Sequence, residues 1–278
     1  MLEQDLGALH EPLLVFGGPY SNLQATRAMR AEAERMGVPP QHVICTGDVV
    51  AYCADAAATV DEIRDWGSSV VMGNCEESLG NEDDDCGCGF EEGTACSLLS
   101  IAWYRYANQQ LDALQRAWMR QLPRSIVFTM QGQRVRCVHG SVNAINQFIF
   151  ASTPQEKKQQ QLAASGADIV VGGHCGVPFG TKLSAGWWLN AGVIGMPAND
   201  GQDHTWYMLL TPHENRIRVT WHRLHYDVSA AQHAMTQAGL PPDYRDALST
   251  GLWPSMDVLP ERERSLAGKQ LELADLLI

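Results

Sequence analysis

Short apolar runs alternate with amphipathic stretches over the first part of the chain. The run EPLLVFGG predicts a buried strand that ends in a glycine turn, and SNLQATRAMRAEAERMG after it has the period of a helix. Ser21 is a candidate cap for the start of this helix, and Gly37 for its end. The pattern repeats, since HVICTGDVV predicts a strand, AATVDEIRDWG a helix and SSVVMGNCEE a further strand. Strands that alternate with helices in this way are typical of a parallel sheet.

Antiparallel strands dominate the second half of the chain. SIVFTMQGQRVRCVHGS predicts a hairpin that turns at residues 131–133, and strands follow at ADIVVGGHCGVP, GWWLNAGVIG, TWYMLLTP and IRVTWHRLHYD. Two helices joined near Asn108 are predicted before the hairpin, and a leucine-containing helix near residue 278. The whole pattern predicts an α/β chain in which two sheets pack together with helices outside. We expect residues 1–240 to form a single domain and residues 241–278 to form an extension that packs on it.

Composition argues against several classes of function. The 278 residues are 45% hydrophobic and 19% charged, which is ordinary for a globular chain. A formal net charge of −12 argues against sequence-independent binding to nucleic acid, because such binding depends on contacts of lysine and arginine with phosphates. The sequence contains no apolar run of the roughly 18 residues that a membrane span needs, and MLEQDLGALHEPLLV lacks the features of a signal peptide. We therefore expect a cytoplasmic protein whose eight cysteines are thiols, ligands or redox groups rather than structural disulfides.

Four polar side chains each come at the end of a different predicted strand: Asp48, Asn74, His139 and His174. Any one of them alone is more typical of a turn, a helix cap or a structural histidine. Ligands bind at the carboxyl ends of strands in open α/β sheets, so we expect these four side chains to form one site. One carboxylate, one amide oxygen and two imidazoles suit a divalent transition metal, and zinc, manganese, iron and nickel all remain open.

These residues lie in five motifs, GDVVAYCAD, GNCEE, VHGS, GGHCGVP and NAGVIGMPANDG, in that order. Over about residues 12–240 the motifs resemble those of the calcineurin-like metallophosphoesterases, in particular the small bacterial phosphodiesterase branch. The resemblance implies a four-layer α/β/β/α sandwich of two mixed sheets, with a two-metal site that hydrolyses phosphate esters. It also implies that Asp48 bridges the metals and that Asn74, His139 and His174 complete the second metal position.

The ligands that the family uses for its first metal alone are missing. The opening family motif is Asp-x-His-Gly-Asn, and the matching stretch here is GPYSN, residues 18–22, in which only Asn22 agrees. The last family motif is Gly-His-x-His, and here it is GHCG, residues 173–176. Gly18, Tyr20 and Gly176 thus occupy the three places that would hold only the first metal. The resemblance therefore implies one divalent metal per chain.

Three functions are compatible with this altered site. In the first, one metal still supports hydrolysis of a small phosphate ester. In the second, the chain is a catalytically weak or inactive homologue that binds a metal, a nucleotide or a partner. In the third, the first metal position is rebuilt, because Tyr20 offers a phenolate and cysteines in loops at this edge offer thiolates. Those cysteines are Cys53, Cys75 and Cys175.

An insertion at about residues 80–97 follows the Asn74 motif and is expected to overhang the site. It carries an acidic run at residues 83–85 and three cysteines, Cys86, Cys88 and Cys96. Their spacing leaves open a zinc site, a disulfide or redox pair, and plain thiols in a glycine-rich lid.

Two further features bear on ligands and partners. His204 lies near a loop that approaches the substrate in the family, so the resemblance makes it a candidate for substrate binding. Trp187 and Trp188 share one predicted strand, so one ring should face the core and the other outward. The outward ring would suit a contact between subunits of a homo-oligomer.

Overall fold

The computed structural model describes residues 2–278 as two β-sheets that pack face to face between layers of helices. The strands are β1 (Glu3–Ala8), β2 (Leu13–Phe16), β3 (Val43–Cys45), β4 (Ser69–Val70), β5 (Ser125–Met130), β6 (Gln133–Val138), β7 (Ile169–Gly172), β8 (Phe179–Leu183), β9 (Gly186–Asn190), β10 (Thr205–His213), β11 (Arg216–Leu224) and β12 (Leu276–Leu277). The helices are α1 (Leu23–Arg35), α2 (Ala56–Trp66), α3 (Asn74–Asn81), α4 (Ala95–Gln110), α5 (Ala113–Gln121), α6 (Gln155–Ser165), α7 (Val228–Gln237), α8 (Pro242–Thr250) and α9 (Glu261–Arg264). Within residues 2–278, none of these helices is long and apolar enough to cross a membrane.

Each sheet mixes parallel and antiparallel strands. The first sheet has the order β1-β5-β6-β7-β9-β8, in which β6, β7 and β9 run parallel and β5 pairs antiparallel with β6. The second sheet has the order β12-β11-β10-β2-β3-β4, in which β2, β3 and β4 run parallel and β10 is antiparallel to both of its neighbours. The predicted four-layer α/β/β/α sandwich of two mixed sheets is confirmed.

Apolar side chains fill the space between the sheets and beneath each helical layer. Val15, Ile44 and Phe128, from both sheets, belong to one cluster and are at most 1% exposed. Trp66 belongs to a second cluster under α1 and α2, and Trp188 to a third cluster next to α6. Since burial of one such side chain contributes about 1.5–3 kcal/mol, the cluster between the sheets fixes how their edges meet.

Helix α1 begins one residue later than the sequence predicts. Its cap is Asn22, whose Oδ1 accepts a hydrogen bond from the backbone N–H of Ala25 at 3.0 Å. Ser21 is not the cap, because its φ of +57° places it in the left-handed region. Gly37, with φ of +69°, follows the helix as predicted.

The segment SSVVMGNCEE is not a single strand, because β4 covers only Ser69–Val70 and Asn74 begins α3. Glu76 accepts a hydrogen bond from the backbone N–H of Gly73 at 3.0 Å and so fixes the start of this helix. Downstream, α4 continues to Gln110, so its junction with α5 lies beyond Asn108.

Both ends of the described chain contain strands that the sequence pattern does not predict. β1 pairs parallel with β5 at the edge of the first sheet, and most of its side chains are exposed. It therefore lacks the apolar alternation that marks a half-buried strand. β12 pairs with β11, so the leucine-containing helix predicted near residue 278 is wrong, because these leucines join the second sheet.

Residues 241–278 pack in two places, because α8 and the loop after it lie beside the candidate site whereas β12 is the outer strand of the second sheet. Helix α8 buries Ala247 and Leu248 in the cluster that also contains Trp66. Beyond it, the indole Nε1 of Trp253 donates a hydrogen bond to the carbonyl of Pro197 at 2.7 Å, and its backbone N–H donates to Asn199. These contacts bring aromatic side chains over the candidate site.

Candidate metal centre

The four predicted ligands come from the carboxyl ends of strands in both sheets. Asp48 follows β3, and Asn74 follows β4, in the second sheet. His139 directly follows β6, and His174 follows β7, in the first sheet. Asp48 and His174 have φ of +55° and +59°, an uncommon conformation that the surrounding structure must hold in place. The sheet packing thus brings two ligands from each sheet to one edge.

The polar atoms of these residues converge on His139. Its Nε2 lies 3.0 Å from the Oδ1 of Asn74, 3.1 Å from the Nδ1 of His174 and 3.2 Å from the Oδ2 of Asp48. The ligand atoms of Asp48, His139 and His174 all lie within 4.8 Å of one another. None of the four residues is more than 8% exposed.

Hydrogen bonds turn the lone pairs of His139 and Asn74 toward one another. The Nδ1 of His139 donates to the carbonyl of Thr46 at 2.7 Å, which leaves Nε2 as the atom with a free lone pair. The Nδ2 of Asn74 donates to the carbonyl of Cys86 at 2.9 Å and contacts the Sγ of Cys88 at 3.3 Å, so Oδ1 faces His139. Lone pairs that face one another in a buried space need a proton or a metal ion between them, so the donor set fits a divalent metal.

The charges of the site are set by burial and by the mutual contacts. Burial alone would raise the pKa of Asp48, but the two imidazoles outweigh it and hold that pKa below its usual range. Burial lowers the pKa of His139, but the Asp48 carboxylate outweighs burial and raises it. Burial dominates at His174 and lowers its pKa. In the metal-free protein Asp48 is therefore ionised, and His139 is the site at which a proton competes with a metal.

Glu76 supports the candidate site from beneath, and the sequence reasoning did not single it out. Its buried carboxylate accepts hydrogen bonds from the backbone N–H groups of Asp48 at 2.7 Å, Val49 at 2.8 Å and Gly73 at 3.0 Å. Burial, and after it the Asp48 carboxylate, raises the pKa of Glu76 to about 7. Glu76 therefore holds the loop of Asp48 against the helix of Asn74. The sequence contained a signal for this contact, because an acidic residue at the third position of a helix is typical of a capping interaction.

A family model described as "Calcineurin-like phosphoesterase superfamily domain" matches residues 10–215. The chain belongs to this superfamily. The structure is similar to that of a metallophosphoesterase from Sphaerobacter thermophilus, with a TM-score of 0.69 and 21% sequence identity. The alignment covers 88% of this chain and 100% of that protein. It is also similar to a hypothetical protein from Pyrococcus horikoshii OT3, with a TM-score of 0.73 and 16% sequence identity. This alignment covers 87% of this chain and 99% of that protein. An uncharacterized protein from Methanocaldococcus jannaschii is 24% identical over 249 residues, which are 82% of this chain and 93% of that protein.

The places that the superfamily resemblance assigns to the first metal are filled by aromatic rings. A Cβ added to Gly18 would lie 2.5 Å from the Cζ of Tyr20, so the phenol ring occupies the space of the missing ligand. A Cβ added to Gly176 would lie 3.1 Å from the Cζ2 of Trp253. Within residues 2–278, no second group of three His, Cys, Asp or Glu side chains converges as Asp48, His139 and His174 do.

The groups proposed to rebuild the first metal position are held in their neutral forms. Burial, and after it the Asp48 carboxylate, raises the pKa of Tyr20 well above its usual value. The same two causes raise the pKa of Cys75, and burial raises that of Cys175 to about 12. In the metal-free protein, burial therefore disfavours the phenolate and thiolate forms that bind metals well.

Other predicted residues have structural partners. Asn22 is buried, caps α1 and donates from Nδ2 to the carbonyl of Gly195 at 3.1 Å. The thiol of Cys53 contacts that same carbonyl at 3.9 Å. The backbone N–H of Cys75 donates to the Oδ1 of Asp48 at 3.2 Å, so this residue supports the site through its main chain. His204 packs against Trp206 and His225 and does not line the cavity beside Asp48.

A cavity of about 60 Å³ adjoins the candidate metal centre, and we call it the adjoining cavity. Asp48 and His174 lie in its wall, together with aromatic rings that include Tyr20, Phe148 and Trp253. The insertion contributes Cys88, Phe90 and Cys96. Cys86 and Cys88 form a disulfide, whereas Cys96 is a free thiol.

Proposed function

We propose that this chain is a metal-dependent phosphoesterase that holds one divalent transition metal and hydrolyses a small phosphate ester. The observation that carries the proposal is the convergence of four buried lone-pair donors, Asp48, Asn74, His139 and His174, within reach of one ion. Membership of the superfamily supports the reaction class. A divalent ion at this place would act as a Lewis acid on a phosphoryl oxygen.

The residues of the chain prepare the place for that ion. Asp48 supplies the one full negative charge, and Asn74 adds an oxygen without adding charge. His139 is oriented by Thr46, and Asn74 by the main chain of Cys86, so little reorganisation is needed when an ion binds. The adjoining cavity leaves room for a substrate group beside Asp48 and His174.

The reaction is expected to be slower than at a two-metal site. Two ions about 4 Å apart stabilise both the attacking and the leaving oxygen of a phosphoryl group. If the absence of one ion costs about 4 kcal/mol of transition-state stabilisation, turnover falls about a thousandfold. The aromatic filling of the first metal position also favours a second candidate function, a metal-binding homologue without turnover.

Metal analysis tests the site, and hydrolysis then separates the two candidate functions. The full chain, purified without a metal-binding tag, should contain about one transition metal per chain. His139→Ala and His174→Ala should each lose most of it, whereas His233→Ala, an exposed residue on α7, should keep it. Metal content that is unchanged in both site variants would contradict the assignment. Release of inorganic phosphate from ethyl phosphate, or of p-nitrophenol from ethyl p-nitrophenyl phosphate, abolished by the same variants, supports the hydrolase. The absence of both reactions from metal-loaded protein supports the non-catalytic homologue.

A further inference from the structure

The adjoining cavity lies next to the place where a phosphoryl group would meet the ion. Its wall includes Asp48 and His174, which are also candidate metal ligands. A phosphoester held by the ion would therefore direct one of its substituents into this cavity. Tyr244 and Trp253 of the C-terminal segment and Phe90 of the insertion close its other sides.

The wall of the adjoining cavity contains no lysine and no arginine among residues 2–278. Its other members are mainly aromatic, aliphatic or thiol groups, including Phe148, Val193 and Met196. The insertion also carries the exposed acidic run at residues 83–85, and the chain as a whole has a net charge of −12. A substituent with a further negative charge would find no partner and would lose its hydration. The cavity therefore suits an uncharged, apolar group.

The volume of the adjoining cavity limits the size of that group. A cavity of about 150 Å³ holds benzene, so about 60 Å³ leaves room for roughly two or three carbon atoms. A phenyl ring or a nucleobase would not fit inside this volume, so it would either displace Trp253 or Tyr244 or remain partly outside the cavity. Trp253 is held by hydrogen bonds from its indole to Pro197 and from its backbone to Asn199, which oppose such movement.

We propose that the adjoining cavity binds the alcohol portion of the substrate and selects phosphoesters of short, uncharged alkyl groups over those of nucleosides, polyols or acidic alcohols. This inference rests on the proposed function, because a metal held by Asp48 and His174 would bind the phosphoryl group beside the cavity whose wall these two residues share. The residues that set the preference are the apolar and aromatic side chains of the wall, and the ion itself does not distinguish one alcohol from another.

Binding of alkylphosphonates tests the preference without any need for turnover. Calorimetric titration of the metal-loaded full chain with methyl-, ethyl- and propylphosphonate should show affinity that rises about fourfold with each methylene. Two analogues of equal chain length, 2,3-dihydroxypropylphosphonate and 3-phosphonopropionate, should bind more weakly than propylphosphonate. Phenylphosphonate should also bind more weakly than propylphosphonate, because the ring exceeds the space.

A substitution in the wall separates cavity binding from binding to the ion alone. Val258→Thr replaces a half-buried methyl group of the wall with a hydroxyl of similar size. It should lower the preference for propyl- over dihydroxypropylphosphonate about fivefold, because a hydroxyl is costly to bury against the alkyl chain. Val228→Thr, at the start of α7 and outside the wall, is the matched control and should leave the preference unchanged.

The outcomes distinguish this inference from the proposed function on which it rests. Metal-loaded protein that binds all the phosphonates equally, binds none, or prefers the phenyl or charged analogue overturns the inference and leaves the metal assignment standing. A chain that retains no metal overturns both. Rising affinity from methyl to propyl, lost in Val258→Thr and kept in Val228→Thr, is the result expected.

Discussion

At the scale of single residues, the candidate centre depends on side chains that touch no ion themselves. Glu76 is buried under Asp48 and accepts N–H groups from the two segments that carry Asp48 and Asn74. Gly18 has no side chain because the ring of Tyr20 fills the space beside it. For each of these residues, a substitution and a matched control distinguish its proposed role from a general effect on folding.

Replacement of Glu76 with glutamine should weaken both the fold and the metal site. One end of the glutamine amide would place its N–H₂ against backbone N–H groups that the carboxylate now satisfies, which costs about 2 kcal/mol of unfolding free energy. Loss of a group that positions a ligand lowers metal affinity about 10- to 100-fold. Urea denaturation and a competitive metal titration measure the two effects. Glu77→Gln, which alters only a half-exposed pair with Arg124, should change either quantity little, and equal effects of both substitutions would refute the role of Glu76.

Replacement of Gly18 with alanine should be destabilising because of Tyr20. Its φ is +40°, and the new Cβ would lie 2.5 Å from the Cζ of Tyr20 and 2.7 Å from the Cγ1 of Val193, so we expect a loss of about 3 kcal/mol in urea denaturation. Gly132→Ala shares the left-handed backbone, with φ of +76°, but meets no atom within 4 Å, and should cost only about 1 kcal/mol. In a Tyr20→Ala background the cost of Gly18→Ala should shrink. If it does not, the ring is not what excludes a side chain at this place.

At the scale of elements, the insertion acts on the site through Asn74. The Nδ2 of Asn74 donates to the carbonyl of Cys86 and contacts the sulfur of Cys88, and Asn146 donates to the carbonyl of Gly87 at 3.0 Å. The disulfide between Cys86 and Cys88 thus closes a small loop that rests directly on a candidate ligand.

Opening this disulfide should weaken metal binding without removing a ligand. In Cys86→Ser/Cys88→Ser the loop loses its closure, Asn74 loses a fixed partner, and the dissociation constant of the metal should rise about tenfold. A competitive titration against a chromophoric chelator measures it, and treatment of the native protein with a phosphine reductant, which contributes no thiol ligand, should have the same effect. Cys96→Ser, a free thiol near the start of α4, is the control. Identical affinities in the double variant and the native protein would show that the loop does not orient Asn74.

The sequence pattern predicts those elements whose signal is local. The strands that precede Asp48 and His174 are buried apolar runs, the strand before His139 mixes polar residues with buried apolar ones, and the motifs at their ends fix the candidate ligands. The pattern does not predict β1, an edge strand whose only large apolar side chain is Leu6. Nor does it predict the start of α3 at Asn74, because this helix has only eight residues and contains Gly80. Contacts between distant segments, such as Trp253 over Gly176, leave no trace in local periodicity.

At the scale of the whole molecule, the candidate centre joins the two halves of the sandwich. Asp48 and Asn74 belong to the second sheet, whereas His139 and His174 belong to the first, so one ion would link the sheets at their common edge. An ion that binds only the folded chain stabilises it, by about 2.7 kcal/mol at a free concentration of 100 times its dissociation constant. The melting temperature should therefore rise by several degrees on metal addition and fall again with a chelator.

This stabilisation by metal should grow with pH. An ion must replace the proton that His139 binds readily in the metal-free protein, since the Asp48 carboxylate outweighs burial and raises the pKa of that imidazole. The contact between Asp48 and protonated His139 stabilises the metal-free fold below the unfolded histidine pKa of about 6.5, and its contribution is lost as pH rises through the raised folded value. The affinity for the metal increases over the same pH range, because fewer protons compete for His139. The difference in melting temperature between metal-loaded and chelator-treated protein should therefore be larger at pH 8 than at pH 6. Differential scanning calorimetry measures this difference, and His139→Ala should show little of it at either pH. A difference that is constant or that shrinks with rising pH would mean that His139 is not the group that exchanges its proton for the ion.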